Sequence, residues 1–322
     1  MTTQLELNMI KSKAESAPGV IAAEVCLACK SPRFSRWFTK TSLNDGRPYP
    51  IFKCAGCGSA FVVPRPKSEY LEAYYAGSSS SFAQTLRSCT ETEAYEKVLQ
   101  DEREYPNAVL DAARIASYCR TLAPGNKFLD IGAGYGFFSR AAVECGFQVT
   151  AIEPTKACRD VFRVMCGMEP LSGMLTSDFV RVNTGSFDVV LMSQVLEHIV
   201  DLESTLGYIR DLLTPNGIVA IAAPHFGSWL SRLQGKSDMF IVPPEHLNFF
   251  SRAGLTALFE RHRLTCCEIH TISRINVSRV QKRIPVPFVG RTVSLCTLAA
   301  LEFSDHFGSG MFLNAYFRQS GA

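Results

Sequence analysis

The 322-residue sequence lacks long runs of basic residues. It holds 33 lysines and arginines against 30 acidic residues, and no run of basic residues is longer than two. Proteins that bind the nucleic-acid backbone usually concentrate positive charge on one face or in one stretch. The small net charge of +3 and the missing basic stretch therefore argue against a nucleic-acid partner.

An uninterrupted apolar stretch of membrane-spanning length is also missing. The longest apolar region, 284–303, contains two prolines, Arg291 and Glu302, whereas a spanning helix needs about 20 consecutive apolar residues. We expect a buried or dimer-forming helix near 291–303, which leaves a homodimer open, and no membrane partner. Residues 1–20 lack the basic start and apolar run of a signal peptide, so we expect a cytoplasmic protein.

Cysteine is abundant, and four of the twelve cysteines form two Cys-x-x-Cys pairs. The pairs are Cys26/Cys29 and Cys54/Cys57, with 24 residues between them. Two such pairs at this separation are typical of a tetrahedral thiolate site for Zn²⁺, and disulfides are disfavoured in a reducing cytosol. Four protein ligands leave zinc no open position, so we predict a structural zinc ion without a catalytic role.

Residues 128–138 have the pattern of an apolar strand, a glycine turn and the start of a helix. The strand ends near Asp130, and the turn, 132–136, has glycine at every second position. Glycines at a strand-to-helix turn let the backbone approach a ligand closely. A second strand, 149–153, ends in Glu153, where a carboxylate can accept hydrogen bonds from a ribose diol.

The spacing of these glycines separates two nucleotide cofactors. A dinucleotide site reads Gly-x-Gly-x-x-Gly and places a pyrophosphate on the helix N-terminus, whereas here the third glycine, Gly136, comes one residue early. The carboxylate of Asp130 beside the turn would repel a pyrophosphate, but it suits a cofactor with ammonium and sulfonium charges. The pattern therefore predicts S-adenosylmethionine.

The segments that follow resemble the class I S-adenosylmethionine-dependent methyltransferases. A buried strand runs from Phe187 to Ser193, Leu-Glu-His follows at 196–198, and Pro-Asn-Gly at 215–217 precedes the apolar strand 218–224. The resemblance covers roughly residues 106–271 and, more loosely, the C-terminal strand. It implies an α/β, Rossmann-like sheet of seven strands with the last one antiparallel, and with strands six and seven at 263–271 and 311–318.

Ligands of such sheets bind at the carboxyl ends of the strands, where the predicted cofactor residues would converge. The predicted cofactor residues are Asp130, Gly132, Ala133, Gly134, Tyr135, Glu153, Pro154, Gln194 and His198.

A zinc ribbon, a helical region and this domain together resemble bacterial methyltransferases of natural-product and sugar pathways. In the C-methyltransferases of deoxysugar biosynthesis, the substrate region carries a His-Glu-His-Leu-x-Tyr-Phe-Ser motif. Here 244–251 is Pro-Glu-His-Leu-Asn-Phe-Phe-Ser, in which Glu245 and His246 match. Pro244 and Phe249 depart from the motif, and the chain ends at residue 322, before the large C-terminal domain of those enzymes. The acceptor atom therefore stays open.

Methyl transfer to a hydroxyl or carbon requires a general base, whereas a neutral amine needs only orientation. Histidine has a suitable pKa, and three histidines lie near the predicted cleft. His246 is the predicted catalytic base with Glu245 beside it, and His225 at the tip of strand five is the next candidate. His198 is expected to hold the loop after strand four.

These patterns predict four segments and one main function. The segments are a flexible tail (1–22), a zinc ribbon (23–66), a helical linker or cap (67–122) and a methyltransferase domain (123–322) with substrate insertions near 225–250 and 272–305. We predict transfer of a methyl group from S-adenosylmethionine to a small molecule, a sugar or secondary metabolite. The alternatives are an RNA or protein methyltransferase that binds its polymer through the ribbon, and a non-catalytic interaction protein that binds S-adenosylmethionine or zinc.

Overall fold

The computed structural model of the chain describes residues 20–21, 25–76, 86, 89–104, 107–274 and 299–319. Apart from a short strand at Val20–Ile21, the predicted tail lies outside these ranges. Residues 291–298 of the predicted apolar helix also lie outside them, while residues 299–306 are helical. No helix in the described ranges is long and apolar enough to cross a membrane. The cytoplasmic location and the homodimer stay predictions.

The N-terminal strands belong to two small antiparallel sheets. These strands are β1 (Val20–Ile21), β2 (Phe34–Thr41), β3 (Pro48–Cys54), β4 (Ala60–Val62) and β5 (Arg65–Pro66). Strands β2, β3 and β4 pair in sequence order, and β1 pairs separately with β5. A fourth strand, β11 (Asn248–Phe249), pairs with β4 and completes the sheet of β2, β3 and β4, although it lies far along the chain from them. The ribbon therefore shares its sheet with the predicted substrate region.

Between this sheet and the next, the described residues include the helices α1 (Ser68–Ala76), α2 (Glu91–Glu104) and α3 (Ala108–Leu122). All three lie within the segment 67–122, which the sequence predicts as a helical linker or cap. Helix α3 buries Ala112, Ile115, Ala116 and Cys119, which lie on one face because they are three or four positions apart. That face packs against the next helix and the central sheet.

The central sheet has seven strands, as predicted. They are β6 (Lys127–Ile131), β7 (Gln148–Glu153), β8 (Leu171–Ser172), β9 (Phe187–Ser193), β10 (Leu213–Pro224), β12 (Leu264–Ile272) and β13 (Phe312–Gln319). Their order is β12-β13-β10-β9-β6-β7-β8, and β13 is antiparallel to both of its neighbours. The predicted antiparallel last strand is confirmed, and β12 and β13 begin and end within one residue of the predicted strands six and seven.

Strand β9 shows why the sheet lies at the centre of the fold. Its residues 187–192 are all buried, as expected for a parallel strand covered on both faces. Val190 and Met192 belong to the apolar core on one face, and Val189 and Leu191 belong to the core on the other. Each such side chain contributes roughly 1.5–3 kcal/mol of burial free energy, so the alternating faces fix the register of the strand.

The fifth strand begins earlier than predicted. We expected a Pro-Asn-Gly turn before residue 218, but β10 already begins at Leu213 and its pairing with β9 shifts register between Leu213 and Ile218. Asn216 has a positive φ of 63°, which asparagine tolerates better than most residues. The Pro-Asn-Gly segment is therefore a bulge within the strand rather than a turn before it.

The remaining helices cover the two faces of the sheet and the loops at its edge. They are α4 (Phe137–Glu144), α5 (Lys156–Cys166), α6 (Ser177–Val182), α7 (Leu202–Leu212), α8 (Trp229–Gln234), α9 (Arg252–Arg261) and α10 (299–306). Short 3₁₀ turns at Leu196–His198 and Gly235–Ser237 lie after β9 and α8.

Candidate active site

The glycine turn, 132–136, lies between β6 and α4, and all three of its glycines have positive φ. The backbone N–H groups of Gly132 and Ala133 donate to the Ile152 carbonyl at 2.8 and 3.1 Å, which ties the turn to β7. A Cβ atom on Gly132 would lie 2.5 Å from Cγ2 of Val195. Both the backbone conformation and this close approach require glycine there.

Glu153 lies at the end of β7 and is 5% exposed. Its Oε2 accepts a hydrogen bond from the Gly134 N–H at 2.9 Å, and its Oε1 accepts from the Thr155 N–H at 2.7 Å. Burial raises the pKa of this carboxyl, while the two backbone donors partly offset the rise. The carboxylate therefore holds the glycine turn in place, and each oxygen keeps a lone pair for a ligand hydroxyl.

Asp130 lies one residue before the end of β6 and is almost fully buried. The hydroxyl of Ser139 donates to its Oδ2 at 2.7 Å. Burial raises the pKa of Asp130 to about 7, and the nearby charge of Glu153 adds to the rise. A cationic ligand beside these two carboxyl groups would lower both pKa values, because it favours their charged forms.

The other predicted cofactor residues follow the carboxyl ends of strands β6, β7 and β9. Tyr135 packs into an apolar cluster with Val98 of α2 and Val161 of α5, and the Pro154 carbonyl accepts from Arg159 at 2.6 Å. Gln194 follows β9 with a positive φ of 55°. Such a conformation is strained for a residue other than glycine, and strain of this kind is concentrated at functional sites.

His198 and His246 come together, with ring centroids 4.8 Å apart. His198 Nδ1 lies 2.7 Å from the Glu245 carbonyl and 2.9 Å from the Tyr75 hydroxyl, and His246 Nδ1 lies 2.7 Å from the Phe240 carbonyl. A carbonyl can only accept, so we assign the ring hydrogen of each neutral histidine to Nδ1, which leaves Nε2 as a proton acceptor.

Burial keeps both imidazoles neutral at physiological pH. It lowers the pKa of His198 to about 3, with a further contribution from His246, and it also lowers the pKa of His246. The Leu247 N–H donates to the Glu197 carbonyl at 2.8 Å, which holds the two histidine-bearing segments together. The sequence placed His198 with the cofactor residues, and its hydrogen bond to the backbone of Gln194 agrees with that placement. His198 also contacts Tyr75, Glu245 and His246.

Glu197 adds a buried carboxyl group that sequence reasoning did not assign to the site. It is 1% exposed, and neither carboxylate oxygen has a hydrogen-bond partner among the described residues. Burial raises its pKa to about 8, so the group is mostly protonated at pH 7. Glu197, His198 and His246 each offer a ligand atom within 4.8 Å of the other two, which is also a geometry that a metal ion could use.

Glu245 contacts the ribbon and helix α1 through its side chain. Its Oε1 accepts from the Tyr74 hydroxyl at 2.7 Å and from Asn44 Nδ2 at 3.3 Å. The sequence predicted Glu245 beside His246 but gave no role to Asn44, Tyr74 or Tyr75. The only local signal was the cluster of tyrosines within 69–75.

His225 lies apart from this pair, at the end of the buried strand β10. Its Nδ1 donates to the Gly310 carbonyl, 2.8 Å away. Burial lowers its pKa, and the positive charges of Arg232 and Arg252 lower it further. His225 also borders a cavity whose lining includes Arg232 and Arg252.

The four cysteines of the two Cys-x-x-Cys pairs converge. The Sγ atoms of Cys26 and Cys57 lie 3.7 Å apart, as do those of Cys29 and Cys54, and all four lie within 4.8 Å of one another. Tetrahedral zinc with Zn–S bonds of about 2.3 Å places its sulfurs about 3.8 Å apart. The donor set and spacing therefore fit a zinc ion.

Buried polar contacts fix the ribbon against the site. Arg65 is 2% exposed and donates to the Asn248 side chain at 2.9 Å and to the Ile199 carbonyl at 2.6 Å. The hydroxyl of Ser251 donates to the Cys57 carbonyl at 2.6 Å. The predicted zinc site and the loop that carries His246 are thus parts of one packed unit.

Comparison with known proteins identifies the family. The family model described as "Methyltransferase domain" matches residues 100–268, which is more than half of the chain. The chain belongs to this methyltransferase family. The match includes the glycine turn, Glu153 and the 3₁₀ turn that carries His198.

Individual relatives of this methyltransferase cover less of it. The ubiquinone biosynthesis O-methyltransferase of Actinobacillus pleuropneumoniae is 30% identical over 154 residues, which is 41% of this chain and 66% of that protein. The C-methyltransferase NovU of Streptomyces niveus is 24% identical over 153 residues, 47% of this chain and 35% of that protein. The chain thus spans less than two thirds of the length of these curated relatives.

Solved structures are also similar to this methyltransferase. A SAM-dependent methyltransferase from Archaeoglobus fulgidus has 16% sequence identity and a TM-score of 0.48, covering 69% of this chain and 99% of that one.

Proposed function

We propose that the protein is an S-adenosylmethionine-dependent methyltransferase that methylates a small molecule at oxygen or carbon, with His246 as general base. One contact carries the proposal. Val195, which directly precedes the Leu196–His198 turn, packs onto Gly132 in the glycine turn. The loop that carries His198, the partner of His246, therefore begins beside the place where the cofactor is expected.

The cofactor would be held by the residues around the glycine turn. Glu153 would accept hydrogen bonds from the ribose hydroxyls, and Asp130 would attract the cofactor's positive charge. S-adenosylmethionine supplies an electrophilic methyl group on a sulfonium sulfur. Membership of the methyltransferase family supports this cofactor, and the relatives named for O- and C-methylation support the two acceptor atoms.

His246 would remove the proton from the acceptor. Its Nε2 is free to take the proton, while the Phe240 carbonyl accepts from Nδ1–H and stabilises the imidazolium that forms. His198 would orient the acceptor together with Tyr75, whose hydroxyl lies 2.9 Å from His198 Nδ1. Because the Glu245 carbonyl accepts the hydrogen on Nδ1, Nδ1 has no free lone pair for Tyr75, and the hydroxyl hydrogen of Tyr75 can be donated to the acceptor.

Zinc would act as a structural support for this site. Held by Cys26, Cys29, Cys54 and Cys57, it would have no open position for substrate. The Ser251–Cys57 hydrogen bond and the β4–β11 pairing would carry its stabilising effect to the His246 loop.

The test is transfer of a radiolabelled methyl group from S-adenosylmethionine to a panel of small hydroxylated aromatics and ketosugars. His246→Ala should lower turnover by roughly 10²–10⁴-fold, the usual worth of general-base catalysis, with unchanged cofactor affinity. The native rate should rise with pH through a pKa below 6.5, since burial lowers the pKa of His246.

His270→Ala is the matched control, because His270 lies on β12 with its side chain 46% exposed. It should keep native turnover. Near-native turnover of His246→Ala would show that His246 is not the base. Labelling of RNA or protein, with none of the small molecules, would favour the polymer-modifying alternative.

A further inference from the structure

The cavity that His225 borders has a volume of about 510 Å³ and lies where the ribbon meets the central sheet. The ribbon contributes Trp37 of β2 and Lys53 of β3. The connection after β10 contributes Phe226, and helices α8 and α9 contribute Arg232 and Arg252. With Gly308 and Ser309 before β13, four separate parts of the chain build its walls.

The charges around this cavity are all of one sign. Lys53, Arg232 and Arg252 line it, and the lining contains neither aspartate nor glutamate. None of the three cations pairs with a carboxylate in the described part of the chain, whereas Arg163 and Arg261 elsewhere on the surface do. Three cations that lack a carboxylate partner among the described residues, placed around one concave site, attract an anion and hold it more strongly than isolated surface charges.

The cavity also has the small residues and the apolar wall that a phosphorylated ligand needs. Gly227 and Gly308 have positive φ, and a Cβ on Gly308 would lie 3.0 Å from Nη1 of Arg252. Glycine there leaves room for the guanidinium and exposes backbone to the ligand. Trp37 and Phe226 pack with centroids 5.6 Å apart, and Lys53 Nζ lies about 5.5 Å from both rings.

We propose that this cavity binds the phosphate or diphosphate group of a small-molecule ligand. Lys53, Arg232 and Arg252 contact the anion, and the Trp37–Phe226 wall contacts the rest of the ligand. The site is separate from the His198–His246 pair, and its occupancy does not depend on methyl transfer. Its binding test can therefore fail or succeed independently of the proposed function.

Calorimetric titration of the full chain with inorganic pyrophosphate tests the anion contacts. Arg232→Ala and Arg252→Ala should each weaken binding by roughly tenfold, the worth of one charge-assisted contact. The double variant should lose measurable binding. The control is Lys236→Ala, which removes an equal charge four residues from Arg232 at a position outside the lining, and it should bind within twofold of the native protein.

Nuclear magnetic resonance of His225 gives an independent measurement. The two arginines help to lower the pKa of His225, so a bound anion should raise it, and this rise should disappear in the double variant. Absence of pyrophosphate binding would overturn the proposal. An equal loss of affinity in Lys236→Ala would also overturn it, because the binding would then be general surface electrostatics.

A Trp229→Phe background leaves Trp37 as the only tryptophan. In this background, fluorescence distinguishes a phosphorylated organic ligand from free inorganic phosphate or pyrophosphate. Tighter binding of a nucleoside diphosphate than of pyrophosphate, with a change in Trp37 fluorescence, would support a phosphorylated organic ligand. Equal affinities without that change would contradict the role of the aromatic wall.

Discussion

Glu197 is a buried carboxyl group without a hydrogen-bond partner in the described part of the chain, next to two neutral histidines. An unpaired polar group in such a place costs free energy. Burial of the neutral carboxyl group costs less free energy than burial of the carboxylate anion, and this difference raises the pKa of Glu197. The residue therefore makes the stability of the protein sensitive to pH.

The free energy of unfolding should fall as pH rises between the ordinary pKa of 4.5 and the folded pKa of about 8 for Glu197. In this window the unfolded chain releases the proton while the folded chain keeps it, so unfolding is favoured at higher pH. Asp130 contributes in the same direction between 3.8 and about 7. Glu197→Gln should flatten this slope in urea denaturation from pH 5 to 8.

The matched control for Glu197→Gln is Glu144→Gln, since the Glu144 side chain is 65% exposed. It should keep the native slope. A Glu197→Gln protein whose unfolding free energy still fell as steeply would show that Glu197 is not the group responsible.

Asp130 leads to a second prediction, which concerns the cofactor. Because the pKa of Asp130 in the free protein is about 7 and the cofactor is cationic, S-adenosylmethionine should bind more tightly as pH rises through 7. Asp130→Asn should weaken binding and remove much of this pH dependence, as measured by calorimetry between pH 6 and 8.

Asp178→Asn is the control for this experiment, since its side chain is 87% exposed. If Asp130→Asn retained the full pH dependence of cofactor affinity, Asp130 would be excluded as its origin.

At the scale of elements, the sequence predicts well what local pattern determines. The glycine spacing at 132–136, the apolar run in β9 and the two Cys-x-x-Cys pairs each specify a turn, a strand or a cluster from adjacent residues. The pairing of β4 with β11 has no such signal, because Ala60 and Phe249 are nearly 190 positions apart in sequence.

The candidate site shows the same limit. His246 and Glu245 were predicted from a local motif, but Asn44 and Tyr74 meet Glu245 only through folding. Burial of Glu197 depends on strands and loops from both parts of the chain, so its raised pKa could not be predicted from Leu-Glu-His alone.

Pairing of β4 with β11 leads to a prediction about the metal. The purified protein should contain one Zn²⁺ per chain, and Cys54→Ser should lose it. Hydrogen exchange should then become faster in β2–β4 and also at 246–251, because that segment pairs with the ribbon. Exchange in β9 should change much less.

Cys267→Ser is the matched control, since Cys267 is exposed and lies outside the four-cysteine cluster. It should retain zinc and native exchange. If exchange became faster in the ribbon but stayed native at 246–251, the two regions would not be coupled. If the native protein contained no metal, the zinc site would be excluded.

At the scale of the whole molecule, the methyltransferase fold and the ribbon are joined through polar contacts on both sides of β11. Arg65 and Asn248 form a buried pair between them, and Ser59 and Ser251 form another contact at 3.1 Å. Such contacts resist independent movement of the two parts, so both parts determine the position of the loop that carries His246.

The shared sheet also sets an order of events during synthesis on the ribosome. Strand β4 is made first, but its partner Phe249 follows only after almost 190 further residues, which takes roughly 10 to 40 seconds at ordinary elongation rates. For that interval the nascent ribbon exposes a strand edge that could pair with another chain. Early capture of the metal by the four cysteines would shape the ribbon before its last strand arrives, so zinc supply during translation should influence how much of the protein escapes aggregation.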